Sequence, residues 1–248
     1  VSMDEVIEKH PLVDPKHYVA ALWDPTDGDL DPSGVVYAYA KSARVHGAEF
    51  FTHTPVLETN QRADGSWNVI TEKGNIHAEY IVNAGGLWAR EVGRMANVHL
   101  PVVPMEHHYL ITEEIEQIAN LPEGRRLPHC IDFEANIYLR QENTGMLLGT
   151  YEPRSTPWSL DGTPQNFGHD LLDPKLDHIA DRLELAFERI PALGTAGIKN
   201  IINGPFVFSP DGNPMIGPVP GVKNYWVAVG VMAGFCQAGG VGRSLSEW

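Results

Sequence analysis

A short apolar run, a glycine-rich bend and a helix follow one another at residues 224–248. This unit constrains the fold more than any other stretch. Asn224-Tyr225-Trp226-Val227-Ala228-Val229 is β-branched and aromatic and has the length of a buried strand. Gly230, Gly234, Gly239, Gly240 and Gly242 then lead into a helix that holds Arg243, Ser244, Leu245 and Trp248. Just upstream, Pro210-Asp211-Gly212-Asn213-Pro214 is dense in turn formers and reverses the chain. Strand, bend and helix in this order aim backbone N–H groups and the positive end of a helix dipole at whatever sits at the bend. An anionic group suits that place, and glycine removes the Cβ atoms that would hold a flat ligand away. On these residues alone, a tight corner packed on itself explains the bend equally well.

The arrangement occurs twice. The strand around Tyr80-Ile81-Val82 runs into Asn83-Ala84-Gly85-Gly86-Leu87-Trp88-Ala89, and residues 88–96 read as a helix. The repetition predicts an α/β sheet with a ligand at the carboxyl ends of its strands. An ordinary βα turn with Trp88 in the core is the competing reading. Residues 1–9 read as a helix, and a second one is capped by Asp31 with Pro32 at its first position and stops at Gly47. Strands are expected at 18–23, 48–54, 55–58, 67–71 and 76–82, with turns at Asp64-Gly65 and Lys73-Gly74. The middle differs in texture. Val102-Val103 and residues 109–112, 130–132, 136–141 and 146–149 are short β-like runs and predict an antiparallel sheet. An irregular loop (152–168) and an amphipathic helix (176–190) follow.

Composition excludes several classes. Lys and Arg number 18 against 32 Asp and Glu, a net charge of -14, so neither nucleic acid nor an anionic membrane surface, which need clustered Lys and Arg, is expected as a partner. No apolar run approaches the roughly 18 residues that span a bilayer. The two cysteines, Cys130 and Cys236, stand far apart with no CxxC spacing, which argues against a disulfide framework or a zinc site and fits a reducing compartment. No histidine stands at metal-ligand spacing, and no metal is expected.

Residues 203–218, 221–230 and 238–248 resemble the C-terminal flavin-contacting segment of the FAD-dependent amine oxidoreductases related to D-amino-acid oxidase. Within that family they are most similar to the dimethylglycine and sarcosine dehydrogenases. Where relatives often carry a further glycine at the bend, this chain has Val231-Met232-Ala233. The resemblance implies part of a Rossmann-like FAD-binding domain at residues 31–98 and 206–248. An interleaved antiparallel-sheet substrate domain is implied at 99–205, with 1–30 as a connector or a piece of it. It implies flavin contacts at Val56, Gly85, Gly86, Trp88, Pro214, Met232, Ala233, Gly234, Phe235 and Cys236; by itself Val56 reads as a core strand residue.

Substrate chemistry is expected at Met105-Glu106-His107-His108-Tyr109. In a strand, His107 and Tyr109 fall on one face, where an imidazole and a phenol can hold a carboxylate or keep an amine neutral. The alternative is a hydrogen-bonded core tyrosine beside two surface histidines. The segment resembles the family's His-x-Tyr motif, which implies an active-site Tyr109; His108, on the other face, reads as structural. Arg140 is either a bidentate carboxylate clamp or a surface ion-pair partner.

The activity implied is FAD-dependent demethylation of an N-methylglycine-type amine, with hydride passing from the N-methyl carbon to the flavin. Electron-transfer flavoprotein or oxygen is the implied acceptor, and tetrahydrofolate binds, if at all, in a module outside these residues. The dinucleotide motif GxGxxG is absent, so an upstream segment or a partner chain is expected to complete the FAD site. Oxidation of a D-amino acid or hydroxy acid on the same fold is one alternative, and a non-catalytic subunit is another. The expected location is the cytoplasm for a bacterial chain and the mitochondrial matrix for a eukaryotic one.

Overall fold

The computed structural model describes all 248 residues, Val1–Trp248. In chain order the first elements are α1 (Met3–Lys9), α2 (Pro32–Val45), β1 (Val56–Gln61), β2 (Trp67–Thr71), β3 (Gly74–Ala78) and β4 (Ile81–Asn83). Then come α3 (Ala89–Met95), β5 (Val103–Thr112), α4 (Glu116–Ala119), β6 (Cys130–Asp132), β7 (Ile137–Glu142) and β8 (Gly145–Thr150). The last are α5 (Ala180–Arg189), β9 (Ile198–Phe208), β10 (Met215–Pro218), β11 (Tyr225–Val229) and α6 (Gly234–Glu247). They assemble into two compact units. Unit 1 is Val1–Leu30, Glu106–Ser155 and Leu171–Gly204; unit 2 is Asp31–Met105, Thr156–Asp170 and Pro205–Trp248.

Unit 1 is built on an antiparallel sheet, with strand order β6-β7-β8-β5-β9. Strand β5 alternates strictly between half-buried and buried residues, the signature of a strand with one packed face. Its packed face joins a core that includes Leu110, Ile137, Leu139, Met146 and Leu148. Helix α5 and its flanks close that core with Ile179, Leu183, Ala186 and Ile190, spaced three and four apart so that all lie on one stripe. Burying each of the Ile and Leu side chains contributes roughly 1.5–3 kcal/mol.

Unit 2 holds an antiparallel meander β1-β2-β3 and a mixed sheet β10-β11-β4. Strands β11 and β4 run parallel, pairing Tyr225 with Ile81 and Val227 with Asn83. Behind them Trp67, Ala89, Val98, Leu100, Val102, Tyr225, Val227 and Val229 form a second core, with the Trp67 and Tyr225 rings 5.5 Å apart. The expected α/β character with an antiparallel sheet is what the chain adopts. Asp31 caps α2 as expected, its Oδ2 accepting from the Gly34 N–H at 3.1 Å.

Several local expectations fail for physical reasons. Residues 18–23 find no partner strand; Val19 and Leu22 stand 98% and 99% exposed. Residues 48–54 are also unpaired, and pairing begins only at Val56. The run 76–82 splits: β3 pairs with β2, whereas β4 leaves that meander and pairs with β11. Conversely, the separate runs expected at 102–103 and 109–112 join, with the histidine segment between them, into the single strand β5. The helix expected at 176–190 starts as a 3₁₀ turn, Leu176–His178, before α5.

Candidate functional site

In unit 2 the carboxyl ends of the parallel strands β4 and β11 open onto one cavity of about 320 Å³. Ala84, Gly86 and Leu87 follow β4 on one side, and Ala228–Val231 end β11 on another. Pro205, Phe206 and Val207 of β9 complete the wall. Asn83, 2% exposed, shapes the first bend: its Oδ1 accepts from the Gly85 N–H at 3.0 Å, and its Nδ2 donates to the Ala89 carbonyl at 2.9 Å. Gly86 has φ +54 and open space where a Cβ would stand. Helix α6 begins three residues beyond Val231. Its first N–H groups have no intrahelical acceptor, and Ala233 supplies no side-chain cap.

These features fit a flat conjugated ring with an anionic edge. The walls are mainly apolar, the glycine leaves one side bare, and a helix N-terminus opens just past the bend. Of the flavin contacts expected from sequence, Gly86 lines the cavity, Gly85 and Trp88 flank it, and Met232, Ala233, Gly234, Phe235 and Cys236 follow directly from the lining Val231. The Trp88 indole Nε1 donates to the Pro164 carbonyl at 3.0 Å. Val56 opens β1, and Pro214 lies just before β10; neither is part of this wall. Leu87 and the β9 segment escaped the sequence reading, although residues 205–207 sit inside a stretch that carries the family resemblance.

In unit 1 the half-buried face of the sheet gathers aromatic and charged side chains. Cross-strand partners share a face, and Gly149 of β8 is paired with Tyr109 of β5 on one side and Tyr138 of β7 on the other. Gly149 is required here by close approach. A Cβ on it would stand 1.8 Å from Tyr138 Cζ, so the Tyr138 ring lies across the glycine toward β5. There the Tyr138 hydroxyl meets His107 Nε2 at 3.1 Å, and the two rings stack with centroids 6.1 Å apart. Tyr151 packs on both, 5.2 Å from Tyr138 and 6.1 Å from His107.

The other nitrogen, His107 Nδ1, lies 3.0 Å from Glu152 Oε2. The second carboxylate oxygen accepts from the His108 backbone N–H at 2.8 Å and lies 3.0 Å from His108 Nδ1. Burial alone works against the Glu152 charge, but the hydrogen bonds from His107 and His108 outweigh it and hold its carboxyl down to about 2. The Tyr138 phenol moves the opposite way, pushed up by burial and then by the neighbouring Tyr151 and Glu152. Tyr138 is therefore a neutral O–H donor. His107 and Tyr109 do share a face as expected, but the hydroxyl bonded to His107 belongs to Tyr138, not Tyr109. Arg140, two residues along the face from Tyr138, has its guanidinium 2.8 Å from Glu142. Tyr138 and Glu152 were not legible as site residues, because only strand register and the bare Gly149 bring them to His107. No cluster of His, Cys, Asp or Glu suits a metal ion.

Comparison with known proteins gives the family and the fold. Residues 1–248 match the DAO model, described as FAD dependent oxidoreductase. The chain is similar to the mitochondrial dimethylglycine dehydrogenase of Mus musculus, 42% identical over 253 residues, covering all of this chain and 29% of that protein. It is 33% identical over 254 residues to the mitochondrial sarcosine dehydrogenase of Mus musculus, covering 27% of that protein. The chain thus spans less than a third of the length of these two curated relatives. Among solved structures, L-proline dehydrogenase from P. horikoshii superposes with a TM-score of 0.82 at 28% identity, over all of this chain and 63% of that one. A family model matched end to end, a shared fold and relatives above 30% identity lead to one conclusion: the chain belongs to the DAO family of FAD dependent oxidoreductases.

Proposed function

We propose that the protein carrying this chain oxidises an N-methylglycine-type amine, such as dimethylglycine or sarcosine, with FAD as its cofactor. The observation that carries the reading is the Tyr138–His107–Glu152 chain, on a fold whose relatives include dehydrogenases of those two amines. When bound, FAD would supply the two-electron oxidising power for the N-methyl C–H bond. The residues at the two strand ends, Gly86 and Val231 through Cys236, would hold it.

The task left to the protein is the proton. An ammonium substrate has no nitrogen lone pair to support C–H oxidation, so one proton must leave first. Tyr138 stays protonated, so the phenol acts as a relay and not as a phenolate base. Its oxygen accepts the ammonium proton while its own proton passes to His107 Nε2, 3.1 Å away. The positive charge ends on an imidazolium whose other nitrogen faces the Glu152 carboxylate at 3.0 Å. Tyr109 shares the face and shapes the substrate's surroundings. Arg140 is the candidate partner for the substrate carboxylate, which would compete with Glu142 for it. Electron-transfer flavoprotein or oxygen takes the electrons, and water or tetrahydrofolate takes the one-carbon unit. Two of the relatives are mitochondrial proteins, and a eukaryotic source would place this one in the matrix.

Anaerobic mixing of the full-length flavoprotein with dimethylglycine, sarcosine, D-alanine and lactate tests the reading. Loss of the oxidised flavin absorbance with the N-methyl amines alone is expected. Bleaching by D-alanine or lactate in preference to them overturns it, and bleaching by none points to a non-catalytic subunit.

A further inference from the structure

We infer that Glu152 is a positioning residue that fixes the tautomers of His107 and His108 together, leaving the bare Nε2 of His107 turned to the Tyr138 hydroxyl. The inference rests on the proposed role of the His107–Tyr138 pair, and it assigns a function to a glutamate that no sequence motif singled out.

The assignment follows from counting donors and acceptors. Lys175 offers its backbone N–H to His108 Nε2 at 3.3 Å, and a backbone N–H can only donate. His108 Nε2 is therefore bare, and its ring proton sits on Nδ1, directed at Glu152 Oε1, 3.0 Å away. Lys175 is held in place from the buried face of the sheet, where its ammonium pairs with the Glu106 carboxylate; Asn203 Nδ2 donates to the same carboxylate at 2.9 Å. Glu152 Oε1 thus receives two donors, the His108 N–H and the His108 Nδ1–H. The other oxygen, Oε2, is an acceptor only, so His107 Nδ1 must carry a proton toward it. With Nδ1 protonated, the neutral His107 ring presents a lone pair at Nε2. The carboxylate is 6% exposed and its two oxygens serve two adjacent residues on opposite faces of β5. One buried charge therefore couples the reactive face to the anchored face. This is the orienting part that a buried carboxylate plays for a catalytic imidazole in general.

The test is Glu152→Gln in the full-length flavoprotein. In the variant the amide oxygen stays where two donors converge, at the Oε1 position. The amide NH₂ then occupies the Oε2 position and faces His107 Nδ1, which must become an acceptor. The His107 proton moves to Nε2, and the bond to Tyr138 reverses. Nitrogen-15 NMR of selectively labelled histidine reads the tautomer directly, with His107→Asn identifying the signal. The wild type is expected to show an N–H-type Nδ1 and a bare Nε2, and the variant the reverse. Flavin reduction by dimethylglycine is expected to slow by about tenfold or more, with the amine concentration for half-maximal rate changed less than twofold.

A wild-type His107 with its proton on Nε2 overturns the inference without any variant. So does a Glu152→Gln protein whose His107 keeps the proton on Nδ1, whatever its rate. A reversed tautomer with an unchanged reduction rate supports the inference and overturns instead the catalytic reading of the His107–Tyr138 pair.

Discussion

Glu152 and His10 are both buried titratable groups, and their effects on stability fall in different pH windows. The Glu152 carboxyl is held at about 2, below its ordinary 4.5. Its stabilising share is present in full above pH 4.5 and lost as pH falls through 2, on the order of 3 kcal/mol. His10 is 1% exposed, and neither ring nitrogen has a hydrogen-bond partner. Burial lowers it to about 4. The unfolded chain takes up a proton below about 6.5, while folded His10 resists until pH 4, so stability falls across that interval as acid is added. Urea midpoints measured from pH 7 to pH 3 should drop in both windows. His10→Leu should flatten the upper limb, and Glu152→Gln the lower. Unchanged slopes in the variants would remove these residues from the account. Gly149→Ala tests packing: its new methyl would collide with the Tyr138 ring. It should cost about 1–3 kcal/mol of stability and slow flavin reduction, both read on one purified sample.

At the level of elements, the two strand–bend–helix units were legible because their signals are local. Apolar runs end in glycines, and those glycines stand where the chain must turn. The Asp31 cap and the amphipathic stripe of α5 were legible for the same reason. What sequence could not give was pairing. Val19 and Leu22 belong to a β-like run, yet without a partner strand they stay in water. Ile76 and Val82 sit in one run, yet they serve two sheets. Tyr138 reaches His107 through a register set by residues 31 positions apart, which no window along the chain reveals. The bend after β4 allows its own test. Gly86 has φ +54 and lines the cavity, so Gly86→Val should cost about 1–2 kcal/mol of backbone strain. It should also lower the ratio of bound flavin to protein, read from absorbance at the flavin and protein bands. Full occupancy in that variant would argue that the cavity holds something else.

For the whole molecule, the chain accounts for two kinds of work in two units. Unit 2 offers strand ends and a helix start that fit a flavin, and unit 1 holds the hydrogen-bonded Tyr138–His107–Glu152 chain for which the proton relay is proposed. The net charge of -14 is compatible with a small zwitterionic substrate. Arg140→Gln should raise the amine concentration needed for half-maximal reduction several-fold while leaving the maximal rate within twofold, as expected for a group that binds the substrate carboxylate and moves no proton. Equal losses in both would assign Arg140 to the chemistry instead. The most direct measurement is stopped-flow flavin reduction by dimethylglycine in Tyr138→Phe, which removes one oxygen and keeps the ring over Gly149. The relay predicts a normal flavin content and a reduction rate lower by about 100-fold at neutral pH. A rate equal to wild type would contradict it.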